Sequence, residues 1–225
     1  MLIPDTFSIK INILIVRIIN TELNALFWKK KENDSWELPS QTMSYNQNFK
    51  FVCKSILSEI VNNKSLQEFN FRSAGHFINE KTVEFNYLCL SKKFGYSFIY
   101  NDKLKDITWV NREKFVKFNL SADALNKSFE FIRIFILNNP EHIFYLIKNE
   151  FTLTELQDAF LSLDLENKQF TEKRNFRKWL FQKSKLKNFI EETDKIRKGQ
   201  HRLSLIHISE PTRRRGISYA VFCLK

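Results

Sequence analysis

The chain has 225 residues, enough for one large or two small domains, and 43% hydrophobic content with 23 Phe argues for folded structure and against a disordered chain. Its formal charge of +11 points to a polyanionic partner, and the three widely spaced cysteines, Cys53, Cys89 and Cys223, form no CxxC pair, so neither a disulfide nor a zinc framework is expected. With no apolar run near the roughly 18 residues of a membrane span and no signal-peptide pattern at the start, the expectation is a soluble, cytoplasmic protein whose Cys53 and Cys89 are buried reduced thiols.

Phe7 to Ile19 reads as a long strand, nearly continuous in apolar residues, and Leu23 to Trp28 as its return after a polar turn at Asn20 to Glu22. Lys29 to Ser35 is a charged loop. After Trp36-Glu37-Leu38-Pro39 and a polar loop, Phe49 to Val61 has helical spacing, with Phe49, Val52, Cys53, Ile56, Leu57 and Ile60 on one face. Strands are expected at Phe69 to Ile78, Thr82 to Leu90 and Ile107 to Val110, and a helix at Ala122 to Leu137 closes the first unit. Strands, a helix, more strands and a second helix make an α+β sandwich. His76 falls in a strand pattern and fits a satisfied structural histidine or an effector contact. His142 is expected to be exposed at a helix start.

From Trp36 to Asn63 the sequence resembles the Nudix family, whose members carry W-x-L-P-G-G and then the box G-x5-E-x7-R-E-U-x-E-E-x-G-U, with U aliphatic. Trp36, Leu38 and Pro39 set the register without gaps. The two glycines are then Ser40 and Gln41, the first glutamate is Gln47, the Arg-Glu pair is Ser55-Ile56, and of the Glu-Glu pair only Glu59 remains, beside Ile60. The closing Gly is Asn62. Mg²⁺ or Mn²⁺ in such a site is held by several carboxylates on one helix face, and one glutamate cannot assemble that set. The expectation is a degenerate Nudix-like domain, an α/β/α sandwich over residues 1 to 138, without hydrolysis and without a cofactor or metal.

Beyond Asn138-Asn139-Pro140 three short helical patterns follow: Glu141 to Lys148; a second opened by Thr152 with Glu155 three residues on, a capping box; and a third in which Thr171 is the expected N-cap. In the third, Phe176, Trp179 and Leu180 face inward and Lys173, Arg174, Arg177 and Lys178 outward. Pro140 to Asn167 holds one Lys against six acids, whereas Lys168 to Arg202 holds twelve basic residues against four acids. Leu186 to Ile190 alternates as a strand before a charged turn at Asp194 to Gly199. Helix, strand and basic hairpin in that order suggest a winged helix-turn-helix over 139 to 202, although a solvated basic helix face has the same charge pattern.

The succession FTLTELQDAF, KRNFRKWL and basic hairpin is similar to the C-terminal domain of the Nudix-related transcriptional regulators, bacterial proteins that join a Nudix-like effector domain to a DNA-binding winged helix. The resemblance implies a winged-helix core of Phe151, Leu153, Leu156, Phe160, Phe176 and Leu180. It implies that Lys173, Arg174, Asn175, Arg177 and Lys178 face double-stranded DNA, and that Lys195, Arg197, Lys198, His201 and Arg202 form the wing. It further implies a homodimer and a small-molecule effector: a sugar, a sugar phosphate or an ADP-ribose-like nucleotide. Without a box to hold a diphosphate, the sugar or its phosphate is the expected choice. A residual Nudix phosphohydrolase acting on nucleoside diphosphate derivatives is the alternative, and an RNA-binding or purely structural Nudix-like protein a third.

Leu203 to Lys225 (LSLIHISEPTRRRGISYAVFCLK) breaks the Lys- and Asn-rich usage of the preceding chain. LSLIHISEPTR resembles the translation of a transposase-based sequencing adapter, and ISYAVFCL its flow-cell end. Residues 203 to 225 are therefore expected to be foreign, to stand where the family places a strand closing the wing, and to weaken DNA binding.

Overall fold

The structure, a computed structural model, describes residues 7–32, 35–61, 66, 69–79, 81–91, 103–111, 114–115, 122–164, 166–197 and 203–208. Strand β1 (Ser8–Ile19) and strand β2 (Glu22–Lys30) are the antiparallel hairpin expected from the apolar run, closed by a two-residue turn in which Asn20 (φ 50°) and Thr21 (φ 65°) are both left-handed. Positive φ at both central positions matches the right-handed twist of the flanking strands, at a steric cost that Thr21, being β-branched, feels most.

Trp36–Glu37 forms a short strand, β3, on β2, and the start of the segment read as a polar loop forms β4 (Ser40–Met43) on β1. Strands β5 (Phe69–Asn79), β6 (Thr82–Ser91) and β7 (Leu104–Asn111) complete a seven-stranded sheet with path β3-β2-β1-β6-β5, in which β7 pairs with β2. The first eight residues of β1 pair parallel with β6 and the last four antiparallel with β2, so one strand holds the sheet together.

Alternation along β1 divides the core. Ile11, Ile13 and Ile15 face helix α1 (Phe49–Ser58), capped by Asn48, whose side chain accepts from Phe51 N at 2.8 Å. Leu14 and Val16 face helix α2 (Ala122–Asn138) on the opposite side, giving the expected α/β/α sandwich. Cys53 and Cys89 are buried free thiols on the α1 side, and burial pushes the Cys53 thiol up to about 12.

Past α2 the chain departs from the sequence reading in several places. Pro140–Tyr145 is a 3₁₀ turn and not an α-helix reaching Lys148; its i to i+3 bonds bury Ile143 and Phe144 in a segment too short to propagate an α-helix. His142 is half-buried there and not exposed: its ring meets Phe135 edge-on at 4.7 Å and Tyr145 at 5.6 Å, and burial lowers its pKa.

Strand β8 (Glu150–Phe151) precedes helix α3 (Leu153–Leu163), where the capping box forms as read: Thr152 Oγ1 accepts from Glu155 N at 3.1 Å and Thr152 N donates to Glu155 Oε2 at 2.7 Å. Thr171 is not an N-cap; it ends the short helix α4 (Lys168–Thr171), whose cap is Asn167. Helix α5 (Lys173–Lys178) then starts afresh from the extended Glu172 and ends in a π-helical turn at Trp179–Lys183. Lys185–Phe189 is a further 3₁₀ turn, capped by Ser184 and anchored by the buried Leu186, so the strand expected from Leu186 begins only at Ile190. That strand, β9 (Ile190–Arg197), includes Asp194 to Arg197, which the sequence placed in a turn; Lys198 and Gly199 lie outside the described residues. Strand β10 (Leu203–Ile208) pairs with both β9 and β8, so the first residues of the adapter-like segment occupy the place of a closing strand.

The two units share one apolar cluster. Leu14, Val16, Ala25 and Phe27 of the hairpin lie in it with Phe144, Leu146, Phe151, Leu156 and Phe160, and Ile18 N donates to Leu146 O at 3.1 Å.

Candidate nucleic-acid interface

Helix α5 is short, so its orientation depends on what it packs against. Phe176 and Leu180 are fully buried, and Phe160, Phe170, Phe176 and Trp179 form an aromatic hub: Trp179 stands edge-on to Phe160 at 5.0 Å and to Phe170 at 5.1 Å, while Phe176 lies 6.0 Å from Phe160. Of the expected winged-helix core, Phe151, Leu156, Phe160, Phe176 and Leu180 are buried, and Leu153 packs against them half-buried.

A polar brace completes the arrangement. Gln157, 5% exposed on the inner side of α3, donates through Nε2 to Phe170 O at 2.6 Å and reaches Thr171 O at 3.5 Å. These carbonyls close α4 and lie just before α5, so one buried amide ties the scaffold helix to the start of the basic one. Sequence reasoning missed it; its signal was a Gln beside Leu156 on an otherwise apolar helical face.

With the apolar side held, Lys173, Arg174, Asn175, Arg177 and Lys178 are all exposed. Lys173, Arg174 and Arg177 converge with Leu153, Thr154 and Gln157 around an open concavity of about 290 Å³. Three cations over the start of α3, whose N-terminus carries a partial positive charge, suit an anionic partner. Burial raises the pKa of Asp158 on the same helix, an effect that nearby Lys173 opposes. Asn175 Nδ2 donates to Glu172 Oε2 at 3.0 Å, a contact with no sequence signal beyond the i, i+3 spacing. Of the expected wing residues, Lys195 and Arg197 lie on β9, where Arg197 pairs with Leu203, and Lys198, His201 and Arg202 lie outside the described residues.

The Nudix-like unit offers a different surface. Ile56 and Ile60, where the resemblance puts carboxylates, are fully buried among Ile11, Ile13 and Trp28. Gln47 Oε1 accepts from Ser44 N at 3.0 Å. Among the described residues no group of three or more His, Cys, Asp or Glu could hold a metal ion.

Gln41, Ile11, Phe85 and His76 are cross-strand neighbours over β4, β1, β6 and β5. Phe49 lies 5.3 Å from Phe85 and 5.8 Å from Tyr87, and the exposed His76 ring lies 5.9 Å from Phe85. Gln41 Oε1 is buried without a hydrogen-bond partner, and Tyr45 and Phe51 are exposed nearby in sequence. This aromatic rank is open to solvent at Phe49 and His76, where a planar ligand can stack.

Residues 143–206 match the family model described as the NrtR DNA-binding winged helix domain. No curated protein matches the chain in sequence. Among solved structures, the chain is similar to a MutT/nudix family protein from Enterococcus faecalis at 14% identity and TM-score 0.64, over 93% of this chain and 89% of that one. It is similar to NrtR from Shewanella oneidensis in complex with a 27mer DNA at 13% identity and TM-score 0.62, over 90% and 94%. The same protein without DNA aligns at 13% identity and TM-score 0.63, over 89% and 94%. At these identities the likeness establishes the fold: a Nudix-like unit followed by a winged helix.

Proposed function

We propose that this protein is a DNA-binding transcriptional regulator whose Nudix-like unit senses a small molecule and does not hydrolyse it. The observation that carries the reading is the juxtaposition of five exposed polar and basic residues on α5 with a fully buried Phe176 and Leu180, inside a segment matching a DNA-binding winged helix. Lys173, Arg174, Arg177 and Lys178 neutralise phosphates or contact guanine, Asn175 faces a base edge, and Lys195, Arg197, Lys198, His201 and Arg202 grip the backbone from the wing. The protein acts in the cytoplasm as a homodimer on two half-sites about one helical turn apart, with no resident cofactor.

Ile56 and Ile60 support the loss of hydrolysis, since apolar core side chains stand where metal ligands are needed. The aromatic rank at Phe49, Phe85 and Tyr87 favours an ADP-ribose-like nucleotide over the plain sugar expected from sequence, because a base supplies a planar face for stacking. The ligand shifts DNA affinity only by the difference in its own affinity for the two arrangements of the dimer. We take Leu203 to Lys225 to be foreign. Backbone pairing of a strand tolerates many side chains, so the formation of β10 is compatible with either origin; sequencing the gene across codon 202 by an adapter-independent method decides it.

The test is a titration of duplex DNA by fluorescence anisotropy at several salt concentrations, with hydrolysis of ADP-ribose in Mg²⁺ assayed in parallel. The regulator gives binding that falls steeply with salt and no turnover. Mg²⁺-dependent turnover without duplex binding would establish the phosphohydrolase instead.

A further inference from the structure

We infer that Glu172 is a positioning residue that sets the Asn175 side chain to read the adenine edge of an A·T pair. The inference rests on α5 being the recognition helix. A carboxylate offers only acceptors, so the amide of Asn175 must turn an N–H, and not its oxygen, toward Glu172, as the 3.0 Å bond from Nδ2 to Oε2 records. The same amide keeps a second N–H and Oδ1 for another partner. Adenine presents in the major groove the matching pair, an N7 acceptor beside an N6 amino donor, whereas guanine presents two acceptors there and would face Oδ1 with its own oxygen.

Place in the helix supports the same role. Asn175 is the third residue of α5, and residues near the start of a recognition helix are the ones that reach base edges. Both side chains are exposed, so the pair is not part of the core. Lys173, Arg174, Arg177 and Lys178, exposed on the same helix, supply attraction to any phosphate, and the Glu172 charge opposes that attraction at the helix start. Glu172 therefore weakens sequence-independent binding while fixing the single amide side chain of α5.

The experiment is selection of binding sites from a random duplex pool by the full chain, in wild-type form and as Glu172→Ala, Glu172→Gln and Asn175→Ala, with circular dichroism to confirm that each variant is folded. Wild type should enrich adenine at one position of each half-site, on the order of tenfold over the other bases. Asn175→Ala should abolish that enrichment. Glu172→Gln should keep it, because the Gln carbonyl accepts the same N–H. Glu172→Ala should relax it to less than about threefold while total duplex binding stays equal or rises. Unchanged enrichment in Glu172→Ala, or its loss in Glu172→Gln as well, overturns the inference: the first shows that Asn175 needs no partner, the second that charge and not orientation matters. A wild type that binds no duplex at any salt concentration overturns the regulator reading itself, a result distinct from both.

Discussion

Installing carboxylates at the box positions Ile56, on α1, and Ile60, just past its end, asks whether this segment could ever hold a metal in this chain. Ile56→Glu places an acid at a fully buried site, one turn from Cys53, whose thiol burial has moved from an ordinary 9.0 to about 12. A carboxylate in the same surroundings meets the same desolvation, which costs on the order of several kcal/mol for an unpaired buried ion. Loss of the Ile56 side chain from its contacts with the sheet adds roughly 2–5 kcal/mol. Against a typical domain stability of about 5–15 kcal/mol, the single substitution should leave the Nudix-like unit largely unfolded at 25 °C, and Ile60→Glu should act alike. Urea denaturation followed by near-ultraviolet circular dichroism measures this directly. A midpoint unchanged from wild type, above all with Mg²⁺-dependent hydrolysis gained, would refute the assignment of this helical face to the core.

Replacing Gln157 by Leu keeps its volume but leaves Phe170 O and Thr171 O without their donor; the urea midpoint should fall by the equivalent of about 1–3 kcal/mol, with a parallel loss of DNA affinity as α5 loosens. Arg174→Ala with Arg177→Ala should flatten the salt dependence of binding by up to about 1.8 in the log–log slope if both side chains contact phosphate, and leave the slope unchanged while relaxing specificity if both read bases; binding unaltered in slope, strength and specificity would remove α5 from the interface. His142 is held below its ordinary pKa of 6.5 by burial, opposed by Glu141 and the Asn139 carbonyl. As pH falls through 6.5 toward the folded-state value, the unfolded chain takes up a proton that the folded one refuses, so stability should drop in that window. Thermal unfolding between pH 7.5 and 5 should show this, with a shallower drop in His142→Gln.

Where one apolar period dominated a long segment, the sequence was legible. The run through Ile11 to Val16 could only be a strand buried on both faces, and the α1 face from Val52 to Leu57 could only be covered by a sheet. The Thr152–Glu155 box was readable because its donors and acceptors are local. What failed was decided at a distance or by length. Thr171 is a competent cap, yet it ends α4 and α5 starts from Glu172, at a break that Gln157 braces from another helix. Pro140–Tyr145 carries helical composition but is too short to propagate, and Leu186–Phe189 alternates like a strand, yet the buried anchors Ile143 and Leu186 leave each as a single 3₁₀ turn. The Glu172–Asn175 contact needs two side-chain conformations that no pattern of residue types encodes.

The hairpin of β1 and β2 has a consequence for how such a protein could be taken apart. Its strands supply the middle of the Nudix-like sheet, yet Ile18 and Leu23 pack on the cluster that contains Phe144, Phe151 and Phe160, and Ile18 donates a backbone hydrogen bond to Leu146. A chain cut near residue 139 would strip both fragments of apolar cover and leave Leu146 O without its donor. The two units are therefore not interchangeable cassettes: grafting the winged-helix unit onto another domain would require grafting the hairpin with it, and the whole molecule should melt in one transition.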